Sequence, residues 1–162
     1  MAHVCHSGTA YRLHVCHLYP ESRGEVRIVS NNPQAHPHID PAYLSAPQDI
    51  EAMIDGLELT RKVLGHAAFD FDRRSETWPD PSYQSRSQLL DDLRARAETL
   101  YHPVGTCMMG NTELAVVDSQ LRVRGVKGLR VVDASVMPRL IGGNTNAPTM
   151  MIATRAAEMI RS

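Results

Sequence analysis

Long hydrophobic runs are missing from this 162-residue chain. No stretch approaches the ~18 consecutive apolar residues that a membrane-crossing helix requires. The opening residues, MAHVCHSGTAYR, lack a charged segment followed by an apolar one, so no secretory leader is read there and the expected location is the cytoplasm. Cysteine is scarce and odd in number: Cys5, Cys16 and Cys107 have no tight spacing, which excludes a disulfide framework and agrees with a reducing compartment. A surplus of either charge is also absent. With 17 basic and 18 acidic side chains the formal net charge is -1, and the electrostatic reason to expect nucleic acid as a partner disappears. Arg122, Arg124, Lys127 and Arg130 do cluster, but they are interleaved with Leu121, Val123 and Val126 and read as the solvated face of a strand. Internal repeats and low-complexity segments are absent too, which excludes solenoids and tails.

What is present is an ordinary soluble composition, with 43% hydrophobic residues, ten Gly and ten Pro. The length excludes two complete domains, yet a chain of this size buries roughly 70% of its unfolded surface, so a core needs no metal or disulfide staple. Arg12 to Leu18 and Glu25 to Val29 read as two strands joined by the turn-rich Pro20 to Gly24, a hairpin pattern. The prolines at 33, 37 and 41 predict an extended surface stretch without regular structure. A helix is then expected, opened by a capping-box pattern of Ser45 and Gln48 around Pro47, carried by Ile50, Met53, Ile54, Leu57 and Leu64, and stopped at Gly65. Phe69, Phe71 and Trp78 suggest a loop pinned by aromatic anchors. A second helix is expected from about Ser87 to Thr99, with Leu89, Leu90, Leu93 and Ala97 on one face. Beyond Tyr101, the runs Leu114 to Val117, Leu121 to Val123 and Leu129 to Val132 suggest a small meander, and a last helix follows from about Asn146 to Ile160.

Three features invite a chemical reading. His3-Val4-Cys5-His6 is repeated as His14-Val15-Cys16-His17, offering thiols and imidazoles to a tetrahedral metal, although on a strand His14 and Cys16 would face away from His17. The other reading of these runs is a His-rich, partly exposed strand. The second feature is YHPVGTCMMG, residues 101–110, in which a rigid His-Pro step presents the His102 imidazole, the usual general base near neutral pH. Cys107 in the same run reads as a buried structural thiol rather than a nucleophile. Third, Asp133 to Pro138 precedes Gly142-Gly143-Asn144-Thr145-Asn146-Ala147-Pro148-Thr149, where glycines and carboxamides crowd the start of an apolar helix. Such an end suits a developing negative charge, or is simple capping.

Together, YHPVGTCMMG, AVVDSQLRVRGVKGLRVVDASVMP and GGNTNAPTMMIATRAAEMI resemble the C-terminal end of the glucose-methanol-choline (GMC) family of flavin oxidoreductases, and the segment from Tyr19 to Leu64 is similar to that family's substrate domain. The resemblance implies oxidation of a small-molecule alcohol with hydride passed to FAD. It implies that His102 assists removal of the hydroxyl proton and that Asn144 hydrogen-bonds the substrate oxygen. It implies further that Asp133 and Ala134 approach the FAD pyrophosphate and that Tyr101, Asn146 and Thr149 line the ring pocket. The helix beginning near Asn146 would point its N-terminus at the pyrimidine side of the flavin, where it raises the reduction potential.

The departure from the family is the missing strand, Gly-x-Gly-x-x-Gly turn and helix that bind the ADP part of FAD. The expected fold class is therefore α+β: an antiparallel sheet with packed helices over residues 1–105, and over residues 106–162 the strand and helix elements that complete an FAD-binding α/β domain. On this reading the chain is the C-terminal portion of a longer enzyme, whose N-terminal half is its necessary partner. The alternative is a non-catalytic metal-binding or interaction domain using the two His-Val-Cys-His runs.

Overall fold

A computed structural model describes residues 12–71 and 73–161. In chain order it contains β1 (Glu25–Arg27), β2 (His38–Asp40), α1 (Pro47–Leu64), a 3-10 turn at Ala67–Phe69, α2 (Arg86–Arg96), a 3-10 turn at Ala134–Val136, and α3 (Asn146–Arg161). Helices beside a small antiparallel sheet make an α+β arrangement, as expected.

The expected hairpin is corrected. Among the described residues, 12–17 enter no strand pairing, and β1 instead pairs antiparallel with β2, Glu25 against Asp40, Val26 against Ile39 and Arg27 against His38. The strand thus comes from the stretch whose prolines had excluded one. Pro37 and Pro41 stand just outside β2, where no ladder donor is lost. The reversal is made by Asn32, whose side chain accepts from the Gln34 N–H at 3.0 Å while its carbonyl accepts from the Ala35 N–H at 3.0 Å.

Helix α1 forms where its apolar period predicts, but not by the expected cap. Residue 46, an alanine in extended backbone, holds the cap position without a side-chain bond, and Pro47 follows in the first turn. The capping oxygen comes from Ser22, whose hydroxyl accepts from the Ala46 N–H at 3.0 Å and donates to Asp49. Buried Asp49 in turn accepts from the backbone N–H groups of Glu21 at 2.9 Å and Ser22 at 2.8 Å. Burial pushes the Asp49 carboxyl up, but those N–H groups, the Ser22 hydroxyl and nearby His17 outweigh it and hold the pKa below its ordinary value. Since the unfolded chain then binds the proton more readily, Asp49 stabilises the fold above the ordinary carboxylate pKa of about 3.9, and that contribution is lost as pH falls through the lower folded value. Urea midpoints at pH 7 and pH 3 check this: Asp49→Asn should lose less stability between the two than the parent chain, and an equal loss would exclude Asp49 as a contributor.

Helix α2 carries a capping box absent from the sequence reading: Ser85 accepts from the Gln88 N–H at 3.3 Å, and Gln88 Oε1 accepts from the Ser85 N–H at 3.1 Å. The helix ends at Arg96, short of Thr99, because Ala97 turns to extended backbone. Its first residue, Arg86, reaches across to Glu51, Asp55 and Glu58, which form one stripe along α1. Beneath that bridge Ile54 and Leu57 of α1 pack with Leu89 and Leu93 of α2, and Val15, Leu44 and Tyr83 close the edges.

Arginines and an aromatic residue both make contacts in the loop between these helices. Phe71 is exposed, whereas Arg61 donates to Glu76 at 2.9 Å and to the Tyr83 carbonyl at 2.7 Å, and Trp78 serves as a platform for Arg96 at 5.9 Å.

A second hydrophobic cluster joins Val117, Leu121, Val136 and Ala156, the last from α3. The expected meander resolves here into isolated bridges, Met109 to Val117, Val117 to Val123 and Arg122 to Arg130, because tight turns at Gly125 and Gly128 leave no run long enough for a ladder. The basic residues pin these turns: Arg122 pairs with Asp118 at 2.9 Å and Arg130 donates to the Gln120 carbonyl at 3.2 Å. Among the described residues, no helix is long and apolar enough to cross a membrane.

Candidate active site

Three segments meet at the end of α3. Residues 107 to 109 lie along residues 135 to 136 through Cys107 N–H to the Ser135 carbonyl at 3.0 Å and Met109 N–H to the Val136 carbonyl at 2.8 Å. Gly105, with φ +91°, makes the preceding turn possible. Asp133 caps the 3-10 turn by accepting from the Ser135 N–H at 2.7 Å, with its carboxylate exposed. Ala134 is half-buried beside it.

His102 faces the third segment. Its Nδ1 is 3.0 Å from the hydroxyl of Thr145, a residue only 8% exposed. The Thr145 carbonyl accepts from both the N–H of Thr149 at 3.1 Å and the Thr149 hydroxyl at 2.7 Å, so Thr145 occupies the capping position of α3 rather than Asn146. Tyr101, immediately before the histidine, is exposed and held at φ +67°, a left-handed conformation that costs a non-glycine residue of order 1 kcal/mol or more. Asn144 and Asn146 flank Thr145 and are exposed.

The structure therefore brings His102 to the Asn144–Asn146 turn and knits the 107–109 strip to Ser135 and Val136, which follow Asp133 and Ala134 in the chain. No hydrogen bond joins His102 to Asn144 among the described residues. Thr149 spends its hydroxyl on the helix backbone. Two residues escaped sequence reasoning. Thr145 sits inside the Gly-Gly-Asn-Thr-Asn run, whose crowding was its only signal. Tyr19 carried none: it lies against Gly142, 123 positions later, where a Cβ would stand 2.1 Å from its hydroxyl oxygen.

The opening turn of α3 supplies the N–H groups of Asn146 and Ala147, with Pro148 contributing none. With the two flanking carboxamides this is a donor-rich, positively polarised edge, chemically suited to an electron-rich oxygen or nitrogen. A shallow concavity of about 360 Å³ lies elsewhere, between Asp118 and Arg130, and includes neither His102 nor Asn144.

Of the paired His-Val-Cys-His runs, only the second lies among the described residues. His3-Val4-Cys5-His6 lies outside the described residues. In the second run Val15 packs on the first cluster and His17 turns toward Asp49 at 3.3 Å, while His14 and Cys16 are exposed. Among the described residues no group of three or more His, Cys, Asp and Glu side chains is arranged to hold a metal ion.

Comparison with known proteins adds a family. The sequence profile described as GMC oxidoreductase matches residues 20–153. The chain is 50% identical over 153 residues to an alcohol dehydrogenase (acceptor) of Pseudomonas putida, covering 94% of this chain and 28% of that protein. It is 46% identical over 151 residues to an oxygen-dependent choline dehydrogenase of Escherichia coli, covering 93% and 27%. Among solved structures, pyridoxine 4-oxidase from Mesorbium loti superposes with a TM-score of 0.81 at 36% identity, covering 87% of this chain and 28% of the other. An FAD-dependent oxidoreductase from Chaetomium thermophilum gives 0.82 at 29% identity, covering 90% and 25%. The chain spans about a quarter of the length of these relatives.

Proposed function

The chain belongs to the GMC oxidoreductase family, and from that premise we propose that it is the C-terminal catalytic segment of an FAD-dependent oxidoreductase acting on the CH–OH group of a small alcohol. The observation that carries this reading is the placement of His102 against the Thr145 turn, beside Asn144 and the start of α3. The relatives' names, an alcohol dehydrogenase, a choline dehydrogenase and a pyridoxine oxidase, support it over a metal-binding module.

In this reading His102 takes the hydroxyl proton of the substrate at Nε2, the nitrogen without a partner among the described residues. Asn144 holds the substrate oxygen by its carboxamide N–H, so the oxygen stays fixed as its proton departs. FAD, when bound, supplies the two-electron oxidant that receives hydride from the substrate carbon. The residues present fit the ring of that cofactor: Asn146 and the N–H groups opening α3 are donors for its electron-rich pyrimidine edge, with Tyr101 and Thr149 at the margins. Asp133 and Ala134 would serve the pyrophosphate end. The two separate hydrophobic clusters support a division in which residues 1–105 belong to a substrate domain and residues 106–162 complete an FAD-binding domain.

The test is complementation. Co-expressed with the FAD-binding remainder of a family member, the chain should copurify with a flavin absorbance band and oxidise alcohols. A combined preparation without flavin would reject the proposal.

A further inference from the structure

The neutral His102 imidazole carries its hydrogen on either nitrogen, and only one choice leaves a base where a substrate can reach it. Three observations constrain the choice. Nδ1 lies 3.0 Å from the Thr145 hydroxyl, whereas Nε2 meets no described residue and is not a buried orphan. The threonine is held in place by its carbonyl, which is tied to both the N–H and the hydroxyl of Thr149, and its β-branched side chain has few rotamers. The histidine backbone is restricted in turn by Pro103.

We propose that Thr145 is a positioning residue whose buried hydroxyl accepts the Nδ1–H of His102, holding the ring as the Nδ1–H tautomer with its basic lone pair on Nε2. The inference rests on the reading of His102 as the base. The opposite polarity, with the Thr145 hydroxyl donating to Nδ1, puts the hydrogen on Nε2 and leaves no lone pair for the substrate proton. With Thr145 as acceptor the proton balance closes. The substrate O–H bond breaks, its proton forms a bond to Nε2, and the ring becomes an imidazolium with N–H at both nitrogens. The Nδ1–H to Oγ1 bond then becomes charge-assisted, so Thr145 holds the protonated ring more firmly than the neutral one.

Long-range ¹H–¹⁵N NMR of the full chain reads the tautomer directly, with the His102 ring signals identified by their loss in His102→Gln. The expected result is a protonated Nδ1 and a bare Nε2; a protonated Nε2 in the neutral ring would overturn the inference without any variant of Thr145. Thr145→Val, close in shape but lacking the acceptor, should shift His102 toward the Nε2–H form, and Thr145→Ser should keep the Nδ1–H form. An unchanged tautomer in Thr145→Val would also overturn it. In the flavin-loaded assembly, Thr145→Val should lower kcat/KM by about 10- to 100-fold, by analogy with the loss of a partner that orients a metal-bound imidazole, and Thr145→Ser should recover most of it. An undiminished rate in His102→Ala would overturn the base reading and this inference with it. An inactive His102→Ala beside a Thr145→Val enzyme of unchanged rate and pH profile would overturn this inference alone.

Discussion

In an enzyme reconstituted with its FAD-binding remainder, His102→Ala should oxidise alcohols at least about 10²-fold more slowly than the parent, the contribution expected of a positioned general base. That factor is about 2.7 kcal/mol of transition-state stabilisation. The expectation follows from position as well as chemistry. Among the described residues only one ring nitrogen of His102 is engaged, by Thr145, and the imidazole is half-buried at the turn that also carries Asn144. A loss of rate could instead come from a lost cofactor, so the flavin absorbance of the variant is the control. Unchanged flavin content with a collapsed kcat would place the loss in the chemical step. A rate within a few-fold of the parent would remove His102 from the mechanism. Asn144 is exposed and makes no bond to the imidazole, so its removal should act on the substrate oxygen and leave the His102 tautomer as it is.

The largest expected effect on stability lies far from that site. Leu89 is 1% exposed and sits between α1 and α2 against Ile54 and Leu57. Leu89→Ala should cost about 2–5 kcal/mol, through lost burial and the cavity left behind. Against a total of roughly 5–15 kcal/mol for an ordinary domain, this is enough to bring the chain close to unfolding. Urea denaturation of the chain should show a lower midpoint with an unchanged slope, since the surface exposed on unfolding barely differs. The control is Leu59→Ala on helix α1, where the side chain is 60% exposed and the change should stay within about 0.5 kcal/mol. Equal midpoints for the two variants would contradict the packing of α2 on α1.

The helices were legible because their signals are local. Ile50, Met53, Ile54 and Leu57 recur with the helical period, and Pro47 marks the first turn; α1 follows, and Ile54 and Leu57 are the apolar residues it buries. Leu89 and Leu93 do the same for α2, and Ala156 for α3. The strands were misread because alternation marks a residue as extended without naming its partner. Val15 points inward and Cys16 outward as a strand would place them, yet residues 12–17 pack on the first cluster without entering a ladder. β1 took its partner from beyond the Asn32 turn. The site divided in the same way. The motifs at residues 101–110 and 142–149 named His102, Asn144 and Asn146, but not Thr145 as the residue that meets the imidazole.

Helix positions, the balance of charge and the family were thus determined by the sequence alone, since each depends on residue type and spacing within a few turns of chain. Tertiary structure decided which strand pairs with β1, that Ser22 caps a helix 24 residues later, and that His102 meets a hydroxyl 43 residues away. Those contacts close long loops, and loop closure is governed by which buried polar groups find partners once the apolar clusters have packed, a condition that neighbouring residues do not carry.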